Sequence, residues 1–238
     1  MVASRKLQVW NLGFVKYPQA LALQNLLVSK RRGNAIADTL LSLQHPPTFT
    51  LGKRRTAHNI LVSPTELQTL GAEVHFAERG GDVTFHGPGQ AVLYPILDLR
   101  QMGLGARRYV EGLEDCMIKV AEKYGVHARG RLEKLTGVWV EDRKIGAVGV
   151  RISSGSISSH GLAFNIKPDL RFFSHIVPCG IRDKEVTSLE KESCFTPVIE
   201  EAVTKQLIEV FAEVFGFVDI VSKTDPELLS SVGIVSKP

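Results

Sequence analysis

Cysteine is scarce in this 238-residue chain: only Cys116, Cys179 and Cys194 occur. So odd and sparse a count excludes a disulfide framework and fits a reducing compartment. No apolar run approaches the ~18 residues of a membrane span, so a soluble protein is expected. There is no signal-peptide core, which excludes secretion. Acidic residues are missing before Asp38, whereas Arg5, Lys6, Lys16, Lys30, Arg31 and Arg32 precede it. An acid-free basic amino terminus has the character of an organelle import signal, although Leu7-Gln8-Val9-Trp10 also reads as a first strand. Repeats and low-complexity segments are lacking too. The serine-rich stretch at 153–159 is too short to separate domains, so a single domain over 1–238 is expected. Neither Cys-x-x-Cys nor a helical His-x-x-x-His pair occurs, so no metal site is expected. The net charge is +4, yet no dense basic stripe with interleaved aromatics appears. Docking to an acidic protein is therefore favoured over nucleic acid.

What is present is ordinary globular material, 44% hydrophobic and 23% charged. Apolar spacing predicts helices over 18–32, 64–70 and 107–124, and one opening at Thr196-Pro197 that carries Val203, Leu207, Val210, Phe211 and Val214. Ser63 caps the second of these and Pro64 follows it. Strands are predicted at 39–44, 48–51, 74–76, 91–97, 137–140, 144–152 and 160–166, with Glu141-Asp142-Arg143 as a hairpin turn. Hairpins mixed with segregated helices point to an α/β fold of the α+β type, mixed sheets flanked by helices, rather than a doubly wound sheet.

Three segments could carry chemistry. Arg79-Gly80-Gly81-Asp82-Val83-Thr84-Phe85-His86-Gly87-Pro88-Gly89-Gln90 packs four glycines and a proline into twelve residues. It reads as a demanding loop whose backbone can approach a ligand closely, and its spacing matches neither the phosphate loop nor the dinucleotide fingerprint. Lys144 precedes an apolar strand bearing Gly146, Ala147, Val148 and Gly149, and on spacing alone it ends a hairpin turn facing water. Cys179 sits between Pro178 and Gly180, a setting that keeps a thiol near the surface. A neighbouring ammonium would favour its thiolate, and Lys144 could supply that charge. Cys116 falls on a helix near its apolar stripe and reads as core, while Cys194 has a polar setting. His45, His58, His75 and His127 read as structural or surface residues. His160 and Asn165 end a strand of small residues, where a core role and a supporting site role are evenly balanced.

Together, residues 79–90, 144–151 with 159–165, and 177–180 followed by Thr187-Ser188-Leu189 resemble the lipoyl(octanoyl) transferases. The resemblance runs from about Leu7 to Phe217. His45-Pro46-Pro47 and Thr50-Leu51-Gly52 are most similar to mitochondrial members from plants. The resemblance implies the catalytic-domain fold shared by biotin and lipoate protein ligases, no cofactor, and a mitochondrial matrix location with a cytoplasmic one as the alternative. It makes Cys179 the acyl-thioester nucleophile and Lys144 its acid/base partner. It assigns substrate contacts to Arg79, Gly80, Gly81, Asp82, Val83, Thr84, Phe85 and His86, to Ala147, Val148 and Gly149, and to Gly161, Leu162 and Ala163. The implied donor is octanoyl-acyl carrier protein. The implied acceptors are lipoyl domains such as glycine cleavage H protein and 2-oxoacid dehydrogenase E2 subunits. Neither nucleic acid nor membrane is implied.

The chemistry is coherent with those residue types. A covalent intermediate divides one transfer between two bulky proteins into two steps. An acceptor lysine must be neutral to attack, which calls for a base such as Lys144. Backbone N–H groups near Cys179 and the Gly80-Gly81 turn could hold the oxyanion. An apolar channel burying six methylenes would gain roughly 5 kcal/mol. Gly146, Ala147, Gly149, Gly161 and Ala163 would line it without filling it. The rival readings are an ATP-using lipoate or biotin ligase, a cysteine hydrolase with His160 or His175 as base, and a non-catalytic basic binding module.

Overall fold

A computed structural model describes residues 5–54, 59–133, 135–177, 184–194 and 197–235. Among the described residues, eleven strands are arranged in two sheets. The larger contains β1 (Lys6–Phe14), β2 (Thr39–Gln44), β6 (Gln90–Ile96), β7 (Val138–Val140), β8 (Arg143–Ile152), β9 (Ser158–Asn165), β10 (Glu185–Val186) and β11 (Asp219–Ser222). Its order is β10-β8-β9-β6-β2-β1-β11, with β7 also paired to β8. The smaller sheet runs β4-β3-β5, from Glu73–Phe76, Thr48–Leu51 and Val83–His86. Parallel pairs (β1 with β2, β3 with β4) coexist with antiparallel ones (β2 with β6, β6 with β9, β8 with β9). Both sheets are therefore mixed, as the hairpin content predicts.

Helices cover both faces of the large sheet. Helix α3 (Ala106–Lys123) buries Tyr109, Leu113, Cys116, Met117, Val120 and Ala121, a repeat of three and four that forms one stripe. It packs with α5 (Glu200–Val214), through Val203, Leu207, Val210 and Phe211, over Leu40, Leu93, Ile145, Leu162 and Phe164 of the sheet. On the opposite face α1 (Tyr17–Arg32) sets Ala20, Leu23 and Leu27 against Leu41, Val92, Tyr94 and Ala163. Every residue of β9 is buried, because that strand has cover on both sides. A third cluster joins Phe49, Val83 and Phe85 of the small sheet to Phe173 and Ile176, in and just after a 3-10 turn (Leu170–His175).

Most predicted elements stand where expected, and Ser63 forms a full capping box with Glu66 at the start of α2 (Pro64–Thr69). Three differences bear on the site. The glycine-rich segment is not all loop, because Val83–His86 pairs with β3 as a strand. Helix α5 starts at Glu200, beyond Pro197. Lys144 is not in the turn but inside β8, and only 8% of it is exposed. The elements with no periodic signal of their own went unpredicted: β10, β11, α4 (Leu189–Glu192) and α6 (Pro226–Ser231). No helix among the described residues is long and apolar enough to cross a membrane.

Candidate active site

Between the small sheet and the α1 face of the large one lies a narrow slot that opens to solvent. Along one wall run Ala147, Val148 and Gly149 of β8 beside Gly161, Leu162 and Ala163 of β9. Opposite stand Arg79, Gly81, Asp82, Val83, Thr84 and His86, and Tyr17, Tyr94, His160 and Lys144 complete it. Most of the residues predicted to contact substrate thus meet around one cavity. Gly80 and Phe85 do not line it. The Phe85 ring is turned away by strand alternation and stacks on Phe172 at 4.6 Å. The Gly80 N–H donates to the Val150 carbonyl at 2.9 Å, which commits it to the fold rather than to an oxyanion. Cys179, with Pro178 and Gly180, lies outside the described residues, as does His58.

Local sequence explains how Lys144 comes to be buried. It pairs across the ladder with Trp139, and its Nζ lies 5.4 Å from the centre of that indole, an attractive cation–ring arrangement. Gly137 adopts φ +119°, and a Cβ there would stand 2.7 Å from Lys144 Cε, so only glycine leaves the lysine its place. The Gly137 N–H is held in turn by Glu114 of α3 at 2.7 Å. A smaller hollow adjoins the Lys144 end of the slot, walled by Thr84, Gln90, Gly146, Ala147, Asn165, Phe173 and Val186. Val186 pairs with Lys144 in the β10–β8 register. Thus the segments on both sides of residues 178–183 reach this hollow, Phe173 from before them and Val186 from after.

Asn165 ties that end together. Gln90 Nε2 donates to Asn165 Oδ1 at 2.9 Å, and Asn165 Nδ2 donates to the Thr187 carbonyl at 3.0 Å. The Thr187 N–H donates to the Lys144 carbonyl at 2.9 Å. Since Gln90 spends its amide nitrogen as donor, its Oε1 accepts from His86 Nδ1 at 2.8 Å. Asp82 accepts from Asn59 Nδ2 at 2.6 Å, and the Asn59 carbonyl accepts from the Val177 N–H at 2.8 Å. The glycine-rich segment is thereby linked to the turn that leads toward Cys179.

The rings beside the slot are polar and neutral, with the Arg79 guanidinium among them. His45 Nδ1 donates to the Val15 carbonyl at 2.7 Å, so its Nε2 accepts from the Tyr94 hydroxyl at 2.9 Å. Burial lowers the His45 pKa to about 4. Burial, with Arg79 and Arg151 nearby, lowers that of His160 to about 3. His86 falls well below its ordinary value, chiefly through burial. Burial lifts Tyr17 to about 12, opposed by the Arg79 charge. The Arg79 guanidinium itself is occupied, donating to the Thr50 carbonyl and hydroxyl at 2.7 Å each and to the Gly80 carbonyl at 3.0 Å. Neutral rings on one side and small strand residues on the other suit an apolar ligand better than an anion.

Two glycines expected to leave the channel empty serve packing instead. A Cβ on Gly161 would lie 2.2 Å from the Leu93 carbonyl oxygen, and one on Gly146 would lie 2.5 Å from Met117 Sδ. Sequence reasoning missed Tyr17, Tyr94, Gln90 and Trp139, and it read His45 as structural or surface, whereas the ring is buried beside the slot. Their only signal is a polar or aromatic residue on a face that periodicity marks as buried. Cys116 is fully buried in the core and Cys194 is exposed.

Comparison with known proteins agrees with this geometry. The family description "Lipoyl protein ligase A/B catalytic domain" matches residues 16–212. Octanoyltransferase LIP2, mitochondrial, of Arabidopsis thaliana is 58% identical over 96% of this chain and 97% of its own length. An octanoyltransferase of Chloroflexus aurantiacus is 46% identical over 89% and 95%. Among solved structures, lipoate-protein ligase A bound with ATP superposes with a TM-score of 0.75 at 16% identity, covering 96% of this chain and 92% of that one. Biotin protein ligase from Aquifex aeolicus reaches 0.53 at 12% identity, covering 88% and 70%. These two likenesses show the shared fold. The chain belongs to the lipoyl protein ligase A/B catalytic-domain family and, within it, to the octanoyltransferases, which are acyltransferases.

Proposed function

We propose that this chain moves an octanoyl group from octanoyl-acyl carrier protein to a lysine of lipoyl domains through a thioester on Cys179. The observation that supports it best is a buried strand lysine, Lys144, at the meeting of a slot walled by small strand residues and a hollow reached from both sides of residues 178–183. In the first step the Cys179 thiolate attacks the donor carbonyl carbon. The carbon–sulfur bond to the carrier breaks, and the departing thiolate takes a proton from the Lys144 ammonium. In the second, the acceptor lysine attacks the acyl-Cys179 carbon, the amide forms, Cys179 leaves as thiolate and Lys144 takes the proton. The octanoyl chain lies along β8 and β9, where burying six methylenes contributes roughly 5 kcal/mol. Gly80 is excluded as an oxyanion donor by its bond to Val150.

Lipoyl domains are the proposed acceptors; the solved structures include a bi-partite lipoate protein ligase and its E2 lipoyl domain from Thermoplasma acidophilum. A mitochondrial matrix location is supported by the relative named as mitochondrial. The net charge of +4 has the sign that steers acidic carriers.

Single-turnover mixing with octanoyl carrier protein, followed by peptide mass analysis, should find one octanoyl group on the Cys179 peptide. Normal turnover by Cys179→Ala would refute the nucleophile. Lys144→Met should slow transfer by about 10²–10⁴-fold with carrier affinity kept. Pyrophosphate released from ATP and free octanoate would mark a ligase instead.

A further inference from the structure

We infer that His160 is the end wall of the slot and sets the longest acyl chain the enzyme accepts. This deepens the proposed octanoyl transfer and rests on that reading for the nature of the ligand.

The backbone is the first reason. His160 has φ +55° in the middle of β9, opposite Val150. Strand alternation would place its ring with Leu162 and Phe164, toward α3 and α5. The left-handed conformation, which a bulky residue adopts only when held there, turns the ring to the α1 face instead. There it lies 5.8 Å from the Tyr94 ring and shares a 3.1 Å hydrogen bond between Nε2 and the Tyr17 hydroxyl. Its N–H donates to Gln24 Oε1 at 2.6 Å. Tyr17 and Gln24, one heptad apart on a single face of α1, therefore clamp both the ring and the amide of the strained residue.

Position is the second. Lys144 and His160 both line the slot; Lys144 precedes the β8–β9 register, in which Ala147–Ala163 and Gly149–Gly161 come before the Val150–His160 rung. At about 3.3 Å per residue, Lys144 and Val150 are about 20 Å apart. An extended octanoyl chain reaches about 9 Å, given carbon–carbon bonds of about 1.5 Å in zigzag. With its carbonyl within hydrogen-bond reach of Lys144, its methyl group ends near the Val148 rung. Four further carbons add about 5 Å and bring a dodecanoyl chain against the His160 ring.

The third is chemical. His160 is 2% exposed, and its Nδ1 has no hydrogen-bond partner among the described residues. That nitrogen is already shut off from water, so what a longer chain meets there is the edge of a closely packed ring. An octanoyl chain stops short of it.

The test compares intact protein with His160→Gly and His160→Asn, both of which accept a left-handed backbone. Single-turnover transfer of octanoyl and dodecanoyl groups from carrier protein to a lipoyl domain is one arm. Calorimetric binding of free octanoate and dodecanoate is the other. Each methylene newly accommodated is worth about fourfold in affinity, so His160→Gly should raise the dodecanoyl-to-octanoyl ratio by about tenfold or more in both arms. His160→Asn should raise it less. Tyr17→Phe, which frees the ring, should relax the ratio as well, and it carries the test with His160→Asn if the glycine variant does not fold. Ratios unchanged in the folded variants overturn the inference. If intact protein takes no octanoyl thioester, the proposed transfer fails, whereas the fatty-acid arm still decides whether His160 limits length.

Discussion

The two faces of the large sheet are built on opposite principles. Toward α3 and α5 it presents Leu93, Ile145, Leu162 and Phe164 to an apolar core in which Cys116 is merely another small hydrophobe. Toward α1 it presents an apolar patch around Leu41 and Val92, beside which lies a run of buried hydrogen-bonding rings: Tyr17 of α1, His45 just after β2, Tyr94 and His160. The first face holds the fold by area removed from water. The second gives up part of that gain to keep rings neutral, aligned and next to an opening. A ligand slot can exist only on the second, because close-packed apolar side chains leave no space for one.

The difference can be broken from the dry side first. Leu113→Ala in α3 should cost about 2–5 kcal/mol in urea unfolding, while the acylation rate per folded molecule stays near that of the intact protein. A small loss would mean the α3–α5 face is softer than its burial indicates. Acid should find the other face. His45 and His160 have folded pKa values of about 4 and 3 against 6.5 for the free imidazole, so the unfolded chain binds more protons between these values. Stability therefore rises with pH through that window and falls on acidification. Going from pH 7.5 to 5 should remove about 2 kcal/mol for each ring. The urea midpoint should track this, and His45→Gln should flatten its slope; equal slopes would show that His45 does not carry the effect. The smallest effect separates two glycines. Gly161→Ala meets a backbone oxygen at 2.2 Å and should cost about 1–3 kcal/mol. Gly146→Ala meets a flexible thioether at 2.5 Å and should cost less. The reverse order in thermal melts would contradict the packing described for both.

The dry face was legible from the amino-acid order. The stripes of α3 and α5 follow from spacing, because one helix side must be apolar to be buried. The residues of the slot were legible mainly as motifs: most of segment 79–86 and the small residues of β8 and β9 do converge. Lys144 misled, since a lysine after a turn normally faces water. Its burial depends on Trp139 beneath it and on the space that Gly137 leaves, both set by the pairing of β7 with β8. His160 gave no sign of its left-handed backbone, because the residues that hold it, Tyr17 and Gln24, are more than a hundred positions away.

Local order of residues fixed which segments become helices and strands and which carry chemistry-bearing groups, since periodicity, caps and glycine-rich turns act over a few neighbours. Tertiary structure alone decided which groups meet, which nitrogen of His45 and of His86 carries a proton, and which lysine loses its water. Those outcomes depend on burial and on hydrogen-bond partners brought together from distant parts of the chain.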